Sequence, residues 1–211
     1  MGVIRSGILS KVSGKVAGVV GAHWKDKAYL REYVIPSNPN TGLQQVQRSL
    51  MIGAVAFAKN LVGQIFKPYT DKFIKSMSGF NKFISDNISC FTSTVAFSSI
   101  KMTAGNLWPC ATAAFTCLAH TITITWDENS YGNNGAPTDA VYAAVYDATD
   151  KLFYFPSSEK TRTDGTIDIG LPATAVGHVA HCWVFAGQYS IKSPTLLEMI
   201  SNSAYVTGTV I

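Results

Sequence analysis

The hydrophobic positions of this 211-residue chain follow two different periods. Between residues 41 and 90 they recur every three or four positions, which is the spacing of an amphipathic helix. From Cys90 onward they form short β-branched and aromatic runs separated by turn-forming residues, which is typical of strands. The pattern therefore predicts an α+β protein in which helices precede a set of strands.

The N-terminal segment predicts an arm and a β-hairpin. Residues 2–13 show no clear period, and such arms order only when something holds them. Residues 16–35, "VAGVVGAHWKDKAYLREYVI", place two runs rich in Val, Tyr and Trp on either side of the polar triplet at 25–27. Two such runs around a short polar turn are a hairpin signal.

Residues 35–50, "IPSNPNTGLQQVQRSL", predict a rigid joint in front of a helix. Pro36 and Pro39 fix φ and push the residues before them toward extended geometry. Thr41 is a good N-cap and Gln44 stands three residues later. In this capping-box spacing each side chain satisfies a backbone N–H at the other position, so we expect a sharp helix start.

Two helices are predicted after the joint. The first runs for about 24 residues and is expected to stop at Pro68. Its apolar stripe consists of Leu43, Val46, Leu50, Ala54, Phe57, Ala58, Leu61, Val62 and Ile65. The second lies between Ser78 and about Asn87, where "SGFNKFISDNI" places its apolar residues on one face.

Seven β runs follow the helices: "STVAFSSIKM", "HTITITW", "DAVYAAVYD", "KLFYF", "TIDIGL", "HVAHCWVFAGQYS" and "SAYVTGTVI". Strands at this spacing predict an antiparallel β-sandwich of immunoglobulin or fibronectin type III kind, with Trp126 and Trp183 as core residues. The Cys–Trp–Cys spacing of an antibody domain is absent, which favours the disulfide-free fibronectin-like variety. We place the boundary near residue 105, between a docking region at 1–105 and a sandwich at 106–211.

Charge divides the chain in the same place. Residues 1–100 hold 12 Lys or Arg against 4 Asp or Glu, whereas residues 101–211 hold 5 against 9. Opposite signs favour head-to-tail contact between copies. The lysines form no run, and the aromatic residues between them in "FKPYTDKFIKSMSGFNKF" recur at near-helical spacing. Core packing and a solvated basic face are therefore expected, and a nucleic-acid partner is not.

Composition excludes several classes of protein. A chain with 47% hydrophobic and 14% charged residues is too apolar for disorder. The first residues show no secretory signal, and no apolar stretch reaches the roughly 20 residues of a membrane span. The four cysteines form no CxxC pair, so we expect free thiols made in a reducing cytoplasm.

The histidines do not predict a metal site. His178 and His181 are three residues apart in a predicted strand, so they are expected on opposite faces. His23 and His120 have no neighbouring group of ligand residues in the sequence. The run "DENSYG" at 127–132 resembles the start of a calcium loop, but its twelfth position is Thr138 and not a bidentate Glu.

Catalytic motifs are also missing from the sequence. No nucleophile lies in a GxSxG elbow, and "GKVAGVVG" lacks the terminal Lys-Ser/Thr of a phosphate-binding loop. The carboxylates of the second half fall at predicted turns, where Asp hydrogen-bonds its own backbone. We therefore expect no enzyme activity, no metal and no cofactor.

Several segments follow one another in a fairly specific order: "GKVAGVVG", "YLREYV", "NPNTGLQQVQRSL", "SGFNKFISDN", "MTAGNL", "ITITWDENSYGNNGAPTDAVYAAVYD" and "SNSAYVTG". In this order, over nearly the whole chain, the sequence resembles a family of proteins from Bacteroidota and their phages. Gln47 and Arg48 match the Gln-Arg pair of that family, and Gln44 matches its Gln-rich lead-in. Gly42 and Leu43 depart from it, where small or acidic residues are commoner.

The resemblance implies a virion protein of a tailed phage, with crAss-like phages as the group. An auxiliary or decoration protein of the capsid is the first hypothesis: the N-terminal half docks on other virion proteins or further copies, and the sandwich projects. A tail or portal-vertex protein is the alternative within that class. In another hypothesis the sandwich binds a host-surface ligand through a loop that contains Tyr131, Asn133 and Asn134, together with Tyr154 and Phe155. A third, nucleic-acid binding, is the least favoured.

Overall fold

The computed structural model describes residues 2–4, 13–24, 27–35, 37–74, 77–130, 134–190 and 196–211. It divides the chain into two compact units, Met1–Gln44 and Gln45–Ile211. Helices and antiparallel sheets occur together among the described residues, so the prediction of an α+β protein is confirmed.

The N-terminal unit contains a four-stranded antiparallel sheet. Its strands are β1 (Gly2–Ile4), β2 (Gly14–Val16), β3 (Val19–Trp24) and β4 (Lys27–Glu32), in the order β1-β4-β3-β2. Strands β3 and β4 form the predicted hairpin, with Trp24 opposite Lys27. Gly14 has a φ of +102°, a conformation that other residues rarely adopt.

The predicted N-terminal arm is wrong at its first residues. Gly2–Ile4 pairs with Ala28–Leu30 of β4, so these residues are held by a β ladder that connects positions far apart in sequence. Sequence period cannot reveal a three-residue strand of this kind. The rest of the predicted arm, at 5–12, lies outside the described residues.

The predicted long helix is broken. Helix α1 covers Gly42–Lys59, and a π-helical segment at Val62–Thr70 follows at an angle of 84°. Pro68 lies inside that segment and does not end it. The wider turn brings Leu61, Ile65 and Phe66 onto one buried face, which explains why the apolar spacing continues across the break.

Helix α2 covers Gly79–Asn87 and agrees with the prediction. The Ser78 side chain caps it by accepting a hydrogen bond from the backbone N–H of Asn81 at 3.3 Å. Short 3-10 turns at Ile88–Cys90, Phe97–Ser99, Arg162–Asp164 and Ala173–Ala175 complete the helical structure among the described residues.

The remaining strands form an antiparallel β-sandwich, as predicted. They are β5 (Ala111–Leu118), β6 (Thr121–Asp127), β7 (Ala140–Asp147), β8 (Leu152–Tyr154), β9 (Lys160–Thr161), β10 (Thr166–Gly170), β11 (Val179–Tyr189), β12 (Leu197–Ile200) and β13 (Ala204–Thr209). Among the described residues, one sheet has the order β10-β6-β5. The other has the order β12-β11-β7-β8, with β13 also paired to β11 and β9 to β7. The immunoglobulin or fibronectin type III kind stays a prediction.

The β runs were not all identified correctly. "STVAFSSIKM" forms no strand; it holds one isolated bridge, Phe91 to Val95, and a 3-10 turn. Its apolar residues, such as Ile100 and Met102, are buried against the helices, which gives it a strand-like composition without a strand partner. Strands β5, β9 and β12 carry no clear alternation and were missed.

Two hydrophobic cores lie on opposite faces of the larger sheet. Val145 of β7 and Cys182 of β11 are paired and face the smaller sheet, in the sandwich core. Their neighbours Ala144 and Trp183 are also paired, and they face α1, α2 and the π-helical segment, in the helix core. Side chains alternate along a strand, so one pair of strands supplies both cores.

The helices after Gln44 therefore share a core with the sandwich. Phe57 of α1 lies 4.8 Å from Phe153 and 6.0 Å from Trp183 between ring centroids. The change of period near residue 105 marks a change of secondary structure within the second unit, whereas the two compact units divide after Gln44. Phe66 and Phe83, which alternate with lysines in the sequence, are buried in the same core.

A buried arginine connects the loops at one end of the sandwich. Arg162 is fully buried and donates from Nε and Nη2 to Asp139 Oδ2, both at 3.3 Å. It also donates to the Asn129 side chain and to the Trp108 carbonyl. The Arg162 carbonyl accepts the indole N–H of Trp126 at 3.0 Å. The side chain of Arg162 thus joins its own segment to three others, at Trp108, Asn129 and Asp139.

Replacement of Arg162 by Met is expected to lower the free energy of unfolding by about 3 to 5 kcal/mol, because Asp139 would keep a buried charge without its partner. Urea denaturation followed by circular dichroism measures the change. Lys160→Met is the matched control, since Lys160 is exposed two residues away. Equal losses in the two variants would contradict the assignment.

Candidate functional site

The first half of α1 exposes an apolar face. Leu43 and Val46 keep 85% and 57% of their surface exposed, and Leu50 is half-buried. We call these three residues the open helix face. They belong to the same apolar stripe as Ala54 and Phe57, which are buried further along α1. The first turn of α1 carries no acidic residue, so the positive end of the helix dipole is not neutralised by its own side chains.

The described part of the N-terminal unit buries few positions. Among the side chains that the structure describes in this unit, only that of Ala28 is buried, and the backbone of Gly21 is buried with it. Val16, Val34 and Ile35 are 64%, 67% and 78% exposed. A small sheet needs a hydrophobic face or a covering element for independent stability, and these exposed side chains are apolar surface that such an element would cover.

The N-terminal unit also carries the net charge of the chain. Met1–Gln44 holds six Lys or Arg against two Asp or Glu, a net charge of +4, whereas Gln45–Ile211 holds eleven of each sign. The ammonium group of Lys15 lies 3.5 Å from the centre of the Tyr33 ring, a cation–π contact at the surface.

The joint residues are only partly described. Pro36 lies outside the described residues, and Pro39 is exposed. The backbone N–H of Gln44 donates to the Thr41 hydroxyl at 3.4 Å, which is one of the two bonds of the predicted capping box.

The two residues of the family motif lie on α1, after the joint. Gln47 and Arg48 are both exposed there.

Most of the loop that is predicted to bind a host-surface ligand lies outside the residues that the structure describes. Tyr131 and Asn133 are not among the described residues. Asn134 is exposed, and its carbonyl accepts the backbone N–H of Trp108 at 2.9 Å. Two aromatic residues considered with this loop, Tyr154 and Phe155, are half-buried and pack against the two cores.

The structure brings together an acid–histidine cluster that the sequence did not predict. His178 precedes β11, and its Nδ1 lies 2.7 Å from Asp147 Oδ2 and 3.9 Å from Asp150 Oδ2. His181 lies within β11, where its Nδ1 is 2.7 Å from the Tyr205 hydroxyl. Because Asp147 and His178 are 31 positions apart, only the antiparallel pairing of β7 with β11 could have indicated their contact.

The charges of the cluster shift the pKa values of its members. The hydrogen bond to Asp147 raises the pKa of His178. Burial opposes ionisation of Asp147, but hydrogen bonds from His178 and from the backbone N–H groups of Thr149 and Asp150 outweigh it and lower the pKa of that carboxyl. The cluster is therefore an ion pair with an Asx turn, which connects the end of β7 to the start of β11.

Asp147, Asp150 and His178 are also the group that could hold a metal ion within the part of the chain that the structure describes. Their ligand atoms lie within 4.8 Å of one another. Both oxygens of Asp147 already accept hydrogen bonds, at 2.7 Å from the imidazole and at 2.8 Å from Thr149. These bonds give the cluster a structural role without an ion.

Two small cavities lie beside the helices. The larger, of about 330 Å³, is lined by aromatic residues of the helix core, including Phe57, Phe97 and Tyr146. The smaller, of about 210 Å³, borders α2 and contains the Lys82–Asp86 ion pair. Ligand pockets usually measure about 300 to 1,000 Å³, so both are at or below the lower limit.

Within the described residues, no single helix is long and apolar enough to cross a membrane. Helix α1 and the π-helical segment together meet the length and composition criteria, as a pair bent by 84°.

Comparison with protein families gives a match over residues 11–206. The matching family is described as a family of unknown function, DUF6266. No curated protein matches the chain. The match covers the hairpin, the helices and most of the sandwich.

The His178–Asp147 pair predicts a window of pH-dependent stability. The raised pKa of His178 gives stabilisation that is complete below its ordinary value of 6.5 and lost as the pH rises through the folded value. The lowered pKa of Asp147 gives stabilisation that is present above 3.8 and lost as the pH falls through the folded value. His178→Gln should therefore lower Tm most between these two values.

Thermal unfolding of His178→Gln at about pH 5 and about pH 9 tests this window, since the imidazole is charged only at the lower pH. His120→Gln is the control for removal of a histidine at the same end of the sandwich. A Tm difference from the unmodified chain that is equal at both pH values would contradict the ion pair.

The open helix face predicts opposite responses at two positions of one stripe. Val46→Asp should change the free energy of unfolding by less than about 0.5 kcal/mol, because Val46 is exposed. Phe57→Ala should cost about 3 to 5 kcal/mol, because Phe57 is buried in the helix core. Urea denaturation of dilute protein measures both, and a loss above about 2 kcal/mol for Val46→Asp would show that the face is covered within the chain.

Proposed function

Because the chain belongs to DUF6266, a family of unknown function, its role has to be argued from its own residues, and we propose that it is a structural virion protein of a bacteriophage. In this proposal it is an auxiliary or decoration protein of the capsid. It docks through its N-terminal half and displays the β-sandwich.

The observation that carries the proposal is the state of the N-terminal unit. It exposes Val16, Val34 and Ile35, and Ala28 is its one buried side chain among those that the structure describes. Exposed apolar surface of this extent marks interaction sites in proteins that are otherwise well packed. The second unit has two complete cores, so the contrast lies within one chain.

One unit exposes apolar residues and the other has two buried cores, and this difference suits a subunit of an assembly. A docking element gains part of its stability at the moment of binding. The sandwich needs no such help, because buried Trp126 and Trp183 anchor its two cores. A sandwich held in this way remains folded while it projects from a surface.

The virion part of the proposal is supported by the sequence resemblance. The Gln47–Arg48 pair, which matches the motif of proteins from Bacteroidota and their phages, lies exposed on α1. Arg48 is close in sequence to Val46 of the open helix face, so the motif and the apolar stripe belong to one surface helix. A role of the motif in docking explains why it is on the surface and not in a core.

Two other roles follow from the same surfaces. A tail or portal-vertex protein would use the N-terminal unit in the same way at a lower copy number. An adhesion module would instead bind a host ligand through the loop that includes Asn134. Tyr154 and Phe155 are half-buried and pack against the two cores, so they offer a ligand only part of their ring surface.

The test is incorporation of variant chains into phage particles. The double change Val34→Asp and Ile35→Asp places two charges on the exposed surface of the N-terminal unit, and it should lower the copies per particle at least tenfold. Leu196→Asp is the matched control, because Leu196 is an exposed apolar residue of the second unit. Quantitative mass spectrometry against the major capsid protein measures the copies.

Normal incorporation of the double variant would overturn docking through the N-terminal unit. Absence of the unmodified chain from purified particles would overturn the virion role itself. A copy number close to that of the major capsid protein identifies a decoration subunit, and a single ring of copies identifies a portal or tail protein.

A further inference from the structure

The larger of the two cavities, of about 330 Å³, lies between the end of α1 and aromatic residues of the helix core. We call it the aromatic cavity. Gly53, Ala56 and Asn60 line it at spacings of three and four residues, which place them on one helical face. Gly53 has no side chain and Ala56 has a single methyl group, so this face leaves the space beside it unfilled.

Aromatic rings form another part of the lining. Phe97 and Tyr146 are half-buried, and their ring centroids lie 5.6 Å apart. The buried ring of Phe57 also lines the cavity, with its centroid 4.9 Å from that of Tyr146. The imidazole of His181 stacks on Phe97 at 3.9 Å between centroids. Because these rings already hold one another in place, a planar ligand would meet a preformed wall.

Lys151 is the only charged residue among the described residues that line the aromatic cavity. It is exposed in the turn between β7 and β8, where its φ is +58°. Gly adopts this left-handed conformation readily, whereas other residues adopt it at a cost. The backbone at this position thus favours Gly, but the chain has a long cationic side chain there. A role of the ammonium group in binding explains the choice.

The acidic groups of the same turn are paired with a histidine. His178 lies 2.7 Å from Asp147 and 3.9 Å from Asp150. Lys151 forms no ion pair with any residue that the structure describes. Its charge is therefore available to an anion from outside the chain.

Two uncharged polar side chains complete the lining. Asn60 contributes an amide and Tyr146 a phenolic hydroxyl, and both groups contain hydrogen-bond donors. Burial, and after it the charge of Asp147, raises the pKa of Tyr146, so the hydroxyl keeps its proton throughout the neutral range. Ligand sites in proteins typically combine apolar and aromatic walls with a few polar groups of this kind.

We propose that the aromatic cavity binds a small aromatic carboxylate, with the rings against Phe97 and Tyr146 and the carboxylate beside Lys151. A cavity of about 150 Å³ is large enough for benzene, so about 330 Å³ accommodates two fused rings. The inference goes beyond the proposed virion role and does not depend on it.

Other classes of small ligand fit the lining less well. A neutral hydrocarbon would take the Lys151 ammonium group out of water without pairing it, which is unfavourable. A sugar or a sugar phosphate would place hydroxyl groups against ring faces and the methyl group of Ala56, where they would lose hydrogen bonds to water. An aromatic anion satisfies both the rings and the charge.

The test is isothermal titration of purified full-length chain with 2-naphthoate, a carboxylate on two fused rings. We expect saturable binding of one molecule per chain. 2-Naphthol has the same rings but no charge at pH 7, and it should bind about tenfold more weakly, because it forms no charge-assisted hydrogen bond with Lys151.

Two variants locate the binding site. Lys151→Gly should weaken 2-naphthoate about tenfold and bring its affinity close to that of 2-naphthol. It should not lower Tm, because Gly adopts a positive φ without strain. Ala119→Gly is the matched control, since Ala119 has a φ of +47° in another turn and should bind 2-naphthoate normally.

The second variant, Ala56→Phe, should also weaken 2-naphthoate about tenfold, because the added ring occupies the cavity. Ile52→Phe is its control, as an exposed position of α1 outside the lining. Circular dichroism confirms that each variant is folded.

Three results would overturn the inference. The first is the absence of saturable binding of 2-naphthoate up to millimolar concentration. The second is equal affinity for 2-naphthoate and 2-naphthol, and the third is binding that survives both Lys151→Gly and Ala56→Phe. A chain that binds 2-naphthoate but is absent from phage particles would contradict only the proposed function.

Discussion

The pairing of β7 with β11 determines where the other elements of the second unit pack. Both faces of this strand pair are buried, and its side chains alternate between the sandwich core and the helix core. Cys182 and Trp183 are neighbours in sequence, yet they belong to different cores. A slip of one residue in this register would exchange the two sets of side chains, so the fit of both layers depends on one alignment.

The sequence predicts those elements in which the spacing of the apolar residues matches the face that is buried. Alternation in "TITITW" and the apolar face of "SGFNKFISDNI" identified β6 and α2, because one face of each element is buried. The break after Lys59 was missed, since apolar spacing continues through the π-helical segment while the chain direction changes. Strand β5 was missed because its small residues follow no clear alternation.

The sequence predicted the candidate surfaces only in part. The stripe of α1 predicted an apolar face, but it could not show that Phe57 is buried while Leu43 and Val46 are exposed. Exposure depends on where the neighbouring layer ends, which is a property of the tertiary structure. The contact of His178 with Asp147 is likewise set by strand register and by no local motif.

The broken helix has a mechanical consequence. Phe57 of α1 contacts rings on β7, β8 and β11, including Tyr146 at 4.9 Å between centroids. Tension that enters the second unit through the start of α1 would therefore be carried across the larger sheet by many main-chain hydrogen bonds. The chain bends by 84° after Lys59, so the π-helical segment does not continue the axis of α1. A force along α1 would therefore reach the larger sheet first through Phe57 and the rings that it contacts.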